Sequence, residues 1–398
     1  MVKKETKKIF IIMRFGLIVI AIIILILIVE TYKNTNVIPQ DYLTALNVSN
    51  NGYGYDIYDQ KVKRYQPMAQ TLIISAEANR YIYTKDKAAF KSVIQNADWL
   101  VKNKDINNNN IIGWGLPTSF DAFGDNSENP PNTEYTITTA LAVKGLLDAV
   151  DVVDKSNIII KFLYKSKKET YLKVSQEALD SFIENKFYTQ NPDGTIFFWY
   201  SSQKSDAQLV TNCHAMFVGI LQRISNYFID KEKKTIYQDL ADKGMKYLLE
   251  TKIEKEGAWY WIYYPRAKEP HEDHGVHAAY TSDGLLMYKK NDGRLSSKID
   301  EQKILNGLKL YIKDGRILEM FSVPERVPRS WDLGYFLYVM SEYFPQEEAI
   351  KNIIYNNILS RQETDGFRLY DDKNTPTDFV RYNAHILLGL SKYFWNEE

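Results

Sequence analysis

Three hydrophobic patterns succeed one another along this chain. The first is an unbroken run. From Ile9 to Val29 the residues IFIIMRFGLIVIAIIILILIV are apolar except for Arg14, and at 1.5 Å per residue a helix of that length reaches across the hydrocarbon of a bilayer. Lys3, Lys4, Lys7, Lys8 and Arg14 lie before or at its start, and only Lys33 follows closely. The positive-inside rule then keeps the N-terminus cytoplasmic and places the remainder on the other side. Val29-Glu30-Thr31-Tyr32-Lys33 offers no small-x-small cleavage site, so the segment is expected to stay as a signal-anchor.

The other two patterns alternate. Stretches that are apolar nearly all round run from Met68 to Arg80, Ala140 to Val150, His214 to Ser225, His277 to Tyr288, Trp331 to Phe344 and Asn383 to Phe394. Such helices are buried on most sides. Four carry a glycine before Leu or Ile in their later part: Gly145, Gly219, Gly284 and Gly389. Between them lie ordinary amphipathic segments, from Ala88 to Lys102, Val174 to Asn185, Ile236 to Thr251, Ile299 to Ile312 and Glu347 to Leu359, with Tyr42 to Leu46 as a further short piece. Each apolar stretch is preceded by a turn glycine that runs into aromatic residues, at Gly52, Gly113, Gly194, Gly257, Gly315 and Gly366. This reads as a tight turn feeding a short strand, repeated about every 60 residues.

Six apolar helices can be buried, and their amphipathic partners left outside, in a closed double ring. The expected fold is all-α, an (α/α)6 toroid of six helical hairpins with short β-turn strands at one rim, preceded by one transmembrane helix. A linear solenoid would need a polar end cap, whereas the last apolar helix runs to Trp395 with three residues beyond it. The domains are then a cytoplasmic tail over 1–8, the membrane anchor over 9–29, a tether over 30–40 and the toroid over 41–398. The expected location is the cell membrane, single-pass, with an extracytoplasmic C-terminal domain.

Composition narrows the partners. Fifty Lys+Arg balance fifty Asp+Glu, which leaves little for counterion-release binding of nucleic acid. The single cysteine, Cys213, allows neither an intramolecular disulfide nor a CxxC pair. Twenty-nine Tyr, eighteen Phe and seven Trp suit walls that meet a polar, ring-shaped ligand such as a polysaccharide or oligosaccharide.

In a ring of this kind the segments that precede the buried helices gather at one end. All five histidines, His214, His271, His274, His277 and His385, fall there, as do Trp114, Trp199, Trp259, Trp261 and Trp331. His274, His277 and Tyr280 are spaced by three and share a helix face, and imidazole exchanges a proton near neutral pH. These three, with His214, Asp332 and Asp378, are the candidate catalytic residues. Trp114, Trp199, Trp259, Trp261, Tyr263, Arg266, Arg329, Trp331, Arg381 and Asn383 are the candidate substrate-binding residues, the arginines favouring an anionic ligand. Asp121, Glu134, Asp332 and Asp378 could supply the two carboxylates of a glycosidase at ~5 to 10 Å, although Asp332 or Asp378 taken singly reads as a helix cap. No metal ligand set is assigned. The histidine cluster lacks a HExxH pattern, Cys213-His214 has no second cysteine to share a zinc ion, and the expected cofactor is none, with a divalent ion on loop carboxylates left open.

Glu256-Gly257-Ala258-Trp259-Tyr260 followed by His271-Glu272-Asp273-His274-Gly275-Val276-His277, set within the sixfold glycine-aromatic turns, resembles the six-hairpin (α/α)6 carbohydrate-active proteins. These are glycoside hydrolases, polysaccharide lyases and the toroidal part of glucuronyl C5-epimerases. The resemblance is architectural and covers nearly all of the chain beyond residue 40. It implies glycan processing. Tyr, His and Arg in excess of paired carboxylates suit uronate chemistry, in which a cation neutralises the C6 carboxylate and Tyr or His moves the C5 proton. The expected protein is therefore a lyase or C5-epimerase. The alternatives are a glycoside hydrolase using paired carboxylates and a non-catalytic glycan-binding protein in surface-polysaccharide assembly or export. A terpene cyclase would want DxDD or DDxxD, and Asp371-Asp372 leads only into Lys373, Asn374 and Thr375.

Overall fold

The alternating patterns become thirteen α-helices and five two-stranded antiparallel hairpins in a computed structural model, which describes residues 37–228 and 230–396. The cytoplasmic tail, the apolar run at 9–29 and the tether as far as residue 36 lie outside the described residues. Among the described residues no helix is long and apolar enough to cross a membrane.

In chain order the helices are α1 (Gln40–Ser49), α2 (Pro67–Thr84), α3 (Lys87–Lys102), α4 (Thr136–Asp154), α5 (Ile158–Leu163), α6 (Lys165–Glu184), α7 (Thr211–Ser225), α8 (Lys231–Thr251), α9 (Gly275–Lys290), α10 (Glu301–Lys309), α11 (Ser330–Tyr343), α12 (Glu348–Leu359) and α13 (Val380–Phe394). The hairpins pair β1 (Tyr53–Asp56) with β2 (Asp59–Tyr65), β3 (Tyr188–Gln190) with β4 (Ile196–Phe198), β5 (Ile253–Lys255) with β6 (Ala258–Tyr260), β7 (Ile312–Lys313) with β8 (Arg316–Ile317), and β9 (Gln362–Glu363) with β10 (Gly366–Phe367). Each of α2, α4, α7, α9, α11 and α13 packs against the next, and α13 packs back on α2. The ring is closed. Outside it lie α3, α6, α8, α10, α12 and α1, whose apolar stripe faces inward while the charged face meets solvent.

The glycines in the inner helices mark places where backbones touch. A Cβ on Gly284 of α9 would stand 2.3 Å from the Ala215 carbonyl of α7, and one on Gly389 of α13 would stand 2.3 Å from the Gly334 carbonyl oxygen of α11. Gly145 is looser, meeting the Thr71 methyl at 3.1 Å. Gly284→Ala is expected to cost about 1–3 kcal/mol through overpacking against a backbone that cannot rotate away, and Gly145→Ala much less. Urea unfolding of the two variants compares them, and equal midpoints would contradict this account of the glycines.

Two departures from the repeat have local causes. Glu256-Gly257 and Asp314-Gly315 both carry positive φ at each residue, the two-residue turn whose twist matches a hairpin. Gly52, by contrast, precedes its hairpin, and Gly113 turns no hairpin. Residues 103–135 form a long loop instead. Its arms lie back to back, with the Tyr135 N–H donating to the Trp114 carbonyl at 3.1 Å and no room for a Cβ at Gly115 beside the Thr133 carbonyl.

The starts of the inner helices are stitched from one unit to the next. The first N–H groups of α4, α7, α9 and α11, at Thr136, Thr211, Gly275 and Ser330, donate to the carbonyls of Tyr200, Tyr263, Glu319 and Leu369 at 2.8–3.0 Å. Each acceptor follows the next hairpin along the chain. The outer helices α3, α8 and α10 instead begin with their own side-chain caps, Asp86, Asp230 and Asp300. The stitching draws all the hairpins to one end of the ring, around a single mouth.

Candidate functional site

Inside that mouth is a cavity of about 210 Å³ to which all six inner helices contribute. Met68 comes from α2, Ile137 and Thr138 from α4, Asn212 and Cys213 from α7, His277 and Tyr280 from α9, Trp331 from α11 and Arg381 from α13, with His274 and Arg329 immediately before α9 and α11. Tyr58 from the β1–β2 turn, Phe120 and Ala122 from the long loop, and Tyr135, Tyr200 and Tyr263 cover it. Of the candidate residues, His274, His277, Tyr280, Tyr263, Arg329, Trp331 and Arg381 are brought together here.

The histidines form a stack. The Tyr263 ring lies 4.4 Å from that of His277, and His271 and His274 lie 5.0 Å apart with planes 2° from parallel. Nδ1 of His271 donates to the Glu272 carbonyl at 2.7 Å. Nε2 of His274 and Nδ1 of His277 are buried and meet no protein partner. Burial, then His271, Arg326 and Arg329, pull His274 down to about 4, and burial with His274 and Arg329 pulls His277 well below its usual range. Both are neutral at pH 7 with a ring nitrogen to offer. Parallel rings set their lone pairs side by side, and among the described residues no three His, Cys, Asp or Glu are placed to hold a metal ion.

Beneath the stack, the Tyr280 hydroxyl and Nε2 of His385 are 2.6 Å apart, and Nδ1 of His385 is 2.7 Å from the Arg381 carbonyl. A carbonyl only accepts, so Nδ1 carries the hydrogen and Nε2 accepts a hydrogen bond from the tyrosine hydroxyl. Burial holds His385 down to about 3 and pushes the Tyr280 hydroxyl up.

The two arginines differ. Arg381 makes a two-pronged pair with Asp56 at 2.8 and 3.0 Å, both side chains buried, and its guanidinium lies 4.9 Å from the Trp331 ring. Its charge is balanced within the protein. Arg329 donates from Nε to the Tyr370 hydroxyl at 3.1 Å and sits 5.6 Å from the Trp331 ring, and among the described residues no carboxylate comes within ion-pair distance of it. It is the uncompensated cation of the cavity.

Among the described residues no carboxylate lines the cavity. Asp332 lies behind it, accepting the Arg329 N–H at 2.6 Å and the Val276 N–H at 2.8 Å, with burial raising it to about 7 against those bonds. It joins the starts of α9 and α11. Asp378 is exposed on the loop before α13. Asp121 binds backbone N–H groups of its own loop, and Glu134 accepts from Asn109 and Ser202.

The remaining candidates also lie outside the cavity lining. His214 is a core strut, with Nε2 donating to the Gly244 carbonyl at 3.1 Å and Nδ1 accepting the Phe198 N–H. The indole N–H groups of Trp114 and Trp261 donate to the Leu100 and Leu248 carbonyls in the last turns of α3 and α8, which also accept the N–H groups of Asn103 and Lys252, and so pin the ends of those outer helices. A tryptophan just past a turn glycine serves that purpose as readily as it serves a ligand. Trp259 bonds Glu254 and lies under Lys252 and Lys303, Trp199 bonds Thr189 across β3–β4, Asn383 ties Thr377, Phe379 and Phe367 together, and Arg266 is exposed. Sequence reasoning missed Tyr58 and Tyr200. It placed His385 at the right end of the ring without seeing that it accepts the hydrogen bond of the Tyr280 hydroxyl.

No protein-family model matches the chain, and no curated protein matches it in sequence. Solved structures do match in fold. A sugar epimerase from a ruminal bacterium superimposes with a TM-score of 0.58 at 11% identity, covering 88% of this chain and 96% of that one. Cellobiose 2-epimerase from Bacillus thermoamylovorans gives 0.57 at 12% identity, covering 88% and 98%. Unsaturated glucuronyl hydrolase from Bacillus sp. GL1, responsible for the degradation of glycosaminoglycan, gives 0.52 at 13% identity, covering 87% and 94%. At these identities the likeness is one of fold, and the fold is the (α/α)6 toroid that carbohydrate-active enzymes share.

Proposed function

We propose that this chain is a membrane-anchored, extracytoplasmic glycan-processing enzyme that moves a proton on a uronate-bearing sugar, as a lyase or a C5-epimerase. One observation carries the reading. The cavity joins an uncompensated arginine to neutral histidines with free nitrogens, among tyrosines, and no carboxylate of the described residues faces it. Arg329 would pair with the sugar carboxylate and stabilise the charge that gathers there when the adjoining carbon loses its proton. His277 Nδ1 or His274 Nε2 would receive that proton. Tyr280, turning its hydroxyl hydrogen from His385 Nε2 to the sugar, would give a proton to the other face of the ring or to the departing oxygen and regain one from solvent afterwards. The similar sugar epimerases and glucuronyl hydrolase support a saccharide ligand.

Hydrolysis is the second reading, supported by the likeness to the glucuronyl hydrolase. It asks for two carboxylates ~5 to 10 Å apart across the bond, and among the described residues the cavity lining supplies neither. The full chain incubated with uronate-containing and neutral polysaccharides separates the readings. Unsaturated uronate would report a lyase and new reducing ends without it a hydrolase, while binding without any turnover, including exchange at C5, would report a non-catalytic glycan-binding protein.

A base that is already neutral sets the pH profile. With His274 held near 4 and His277 held well below its usual range, kcat/KM is expected to stay level through the ordinary imidazole range near 6.5 and, with His274 as the base, to fall only as pH drops to about 4, where the base takes up a proton. An acid limb centred near 6.5 would contradict these histidines as the base.

A further inference from the structure

The end of the ring opposite the cleft carries a surface that the catalytic reading does not use. Helix α5, capped by Asn157, has the sequence IIIKFL and buries none of its residues. Ile158, Ile159, Phe162 and Leu163 are 77%, 48%, 79% and 67% exposed. Those positions fall on one side of a helix, while Ile160 turns back to the core. Single exposed apolar side chains are ordinary, but four large ones side by side on a helix are not. Lys155 and Lys161 flank them, and among the described residues neither has a carboxylate within ion-pair distance.

The position of this helix suggests what covers it. Inner helices start at the cleft, so their last turns lie at the far end. Ser156, two residues before α5, shares a hydrogen bond with the Tyr81 hydroxyl near the end of α2 at 2.8 Å. Tyr42, where the chain enters α1, bonds Glu77, one turn earlier on α2, and its ring meets Trp395 edge-on at 4.7 Å. The chain therefore enters the toroid at the same end as α5. Only seven residues separate Val37 from Val29, the end of the apolar run, and the eight steps from one to the other span at most about 29 Å when fully extended.

We propose that α5 is a second membrane contact. Ile158, Ile159, Phe162 and Leu163 enter the interfacial layer of an anionic bilayer, Lys155 and Lys161 meet its headgroups, and the toroid stands on this end with its cleft turned away from the lipid. The proposal rests on the anchor reading of residues 9–29 for the position of the bilayer, and on α5 itself for the contact.

The test uses the full chain reconstituted in phosphatidylcholine/phosphatidylglycerol vesicles, labelled with an environment-sensitive fluorophore at Phe162→Cys or, as a control on β2 beside the cleft, at Val62→Cys. Both positions are exposed and the native thiol, Cys213, is buried. The expected result is vesicle flotation, a blue-shifted label at position 162 that loses most of its emission to doxyl-labelled lipid, and a label at position 62 that stays water-like and unquenched. Flotation with a water-like label at 162 would overturn the contact and leave the anchor standing. A blue shift without lipid quenching would mean that a protein surface, such as a second copy, covers α5, and would overturn the proposal. Failure to float would overturn both anchor and contact.

Discussion

Replacing Arg329 by methionine is expected to lower kcat on a uronate substrate by about 10²–10³-fold, the loss seen when one donor that meets developing negative charge is removed. Arg329 is the cavity's only cation without a carboxylate partner among the described residues, so no neighbour inherits its task. Its guanidinium bonds the Tyr370 hydroxyl and rests beside the Trp331 ring, contacts that methionine partly keeps as packing. Arg329→Lys should recover part of the activity, because ammonium supplies charge without the two-pronged geometry. The comparison is made by steady-state kinetics alongside thermal unfolding. A fall in kcat with an unchanged Tm supports the role, and an active Arg329→Met variant would show that the carboxylate is held elsewhere.

Removing Asp56 attacks the same wall from behind. Asp56→Ala leaves the Arg381 guanidinium buried without its two-pronged partner, and breaking such a pair is expected to cost about 3–5 kcal/mol. Burial alone would disfavour that charge, and Asp56 is what holds Arg381 above its ordinary range. The pair also ties the β1–β2 hairpin to α13, at opposite ends of the chain, so its loss should loosen Tyr58 over the cavity. Urea unfolding reads the stability, and a midpoint like that of the unchanged protein would show that water reaches Arg381 and the pair is not sealed.

The ring itself was legible in the sequence because helices apolar on all sides have few places to go. Met68 to Arg80 and Asn383 to Phe394 could each be recognised as inner helices from their own residues, and the contact between α13 and α2 then closes the circle. The position of the cleft followed from the same topology, and it brought His274, His277, Tyr280, Arg329, Trp331 and Arg381 together. Which way a side chain points was not legible. Trp114 and Trp261 lie at the expected rim, but their indoles turn to the last carbonyls of outer helices. His214 lies one residue from Cys213, which lines the cavity, yet faces the opposite way into the core. Tyr58 stands on a polar hairpin with no apolar period to mark it, and it reaches the cavity only because residue 56 pairs with residue 381 across the closing seam.

The central claim is that the cavity moves a proton on a uronate-bearing sugar, and solvent isotope exchange at that carbon tests it most directly. The full chain in deuterated water, with a uronate polysaccharide that it binds, is followed by NMR and by absorbance. Deuterium at C5 of recovered polymer, or unsaturated uronate at new chain ends, abolished in each case by His274→Ala and His277→Ala together, is the predicted outcome. Reducing ends released with neither signal, or exchange that survives His274→Ala and His277→Ala together, would contradict it.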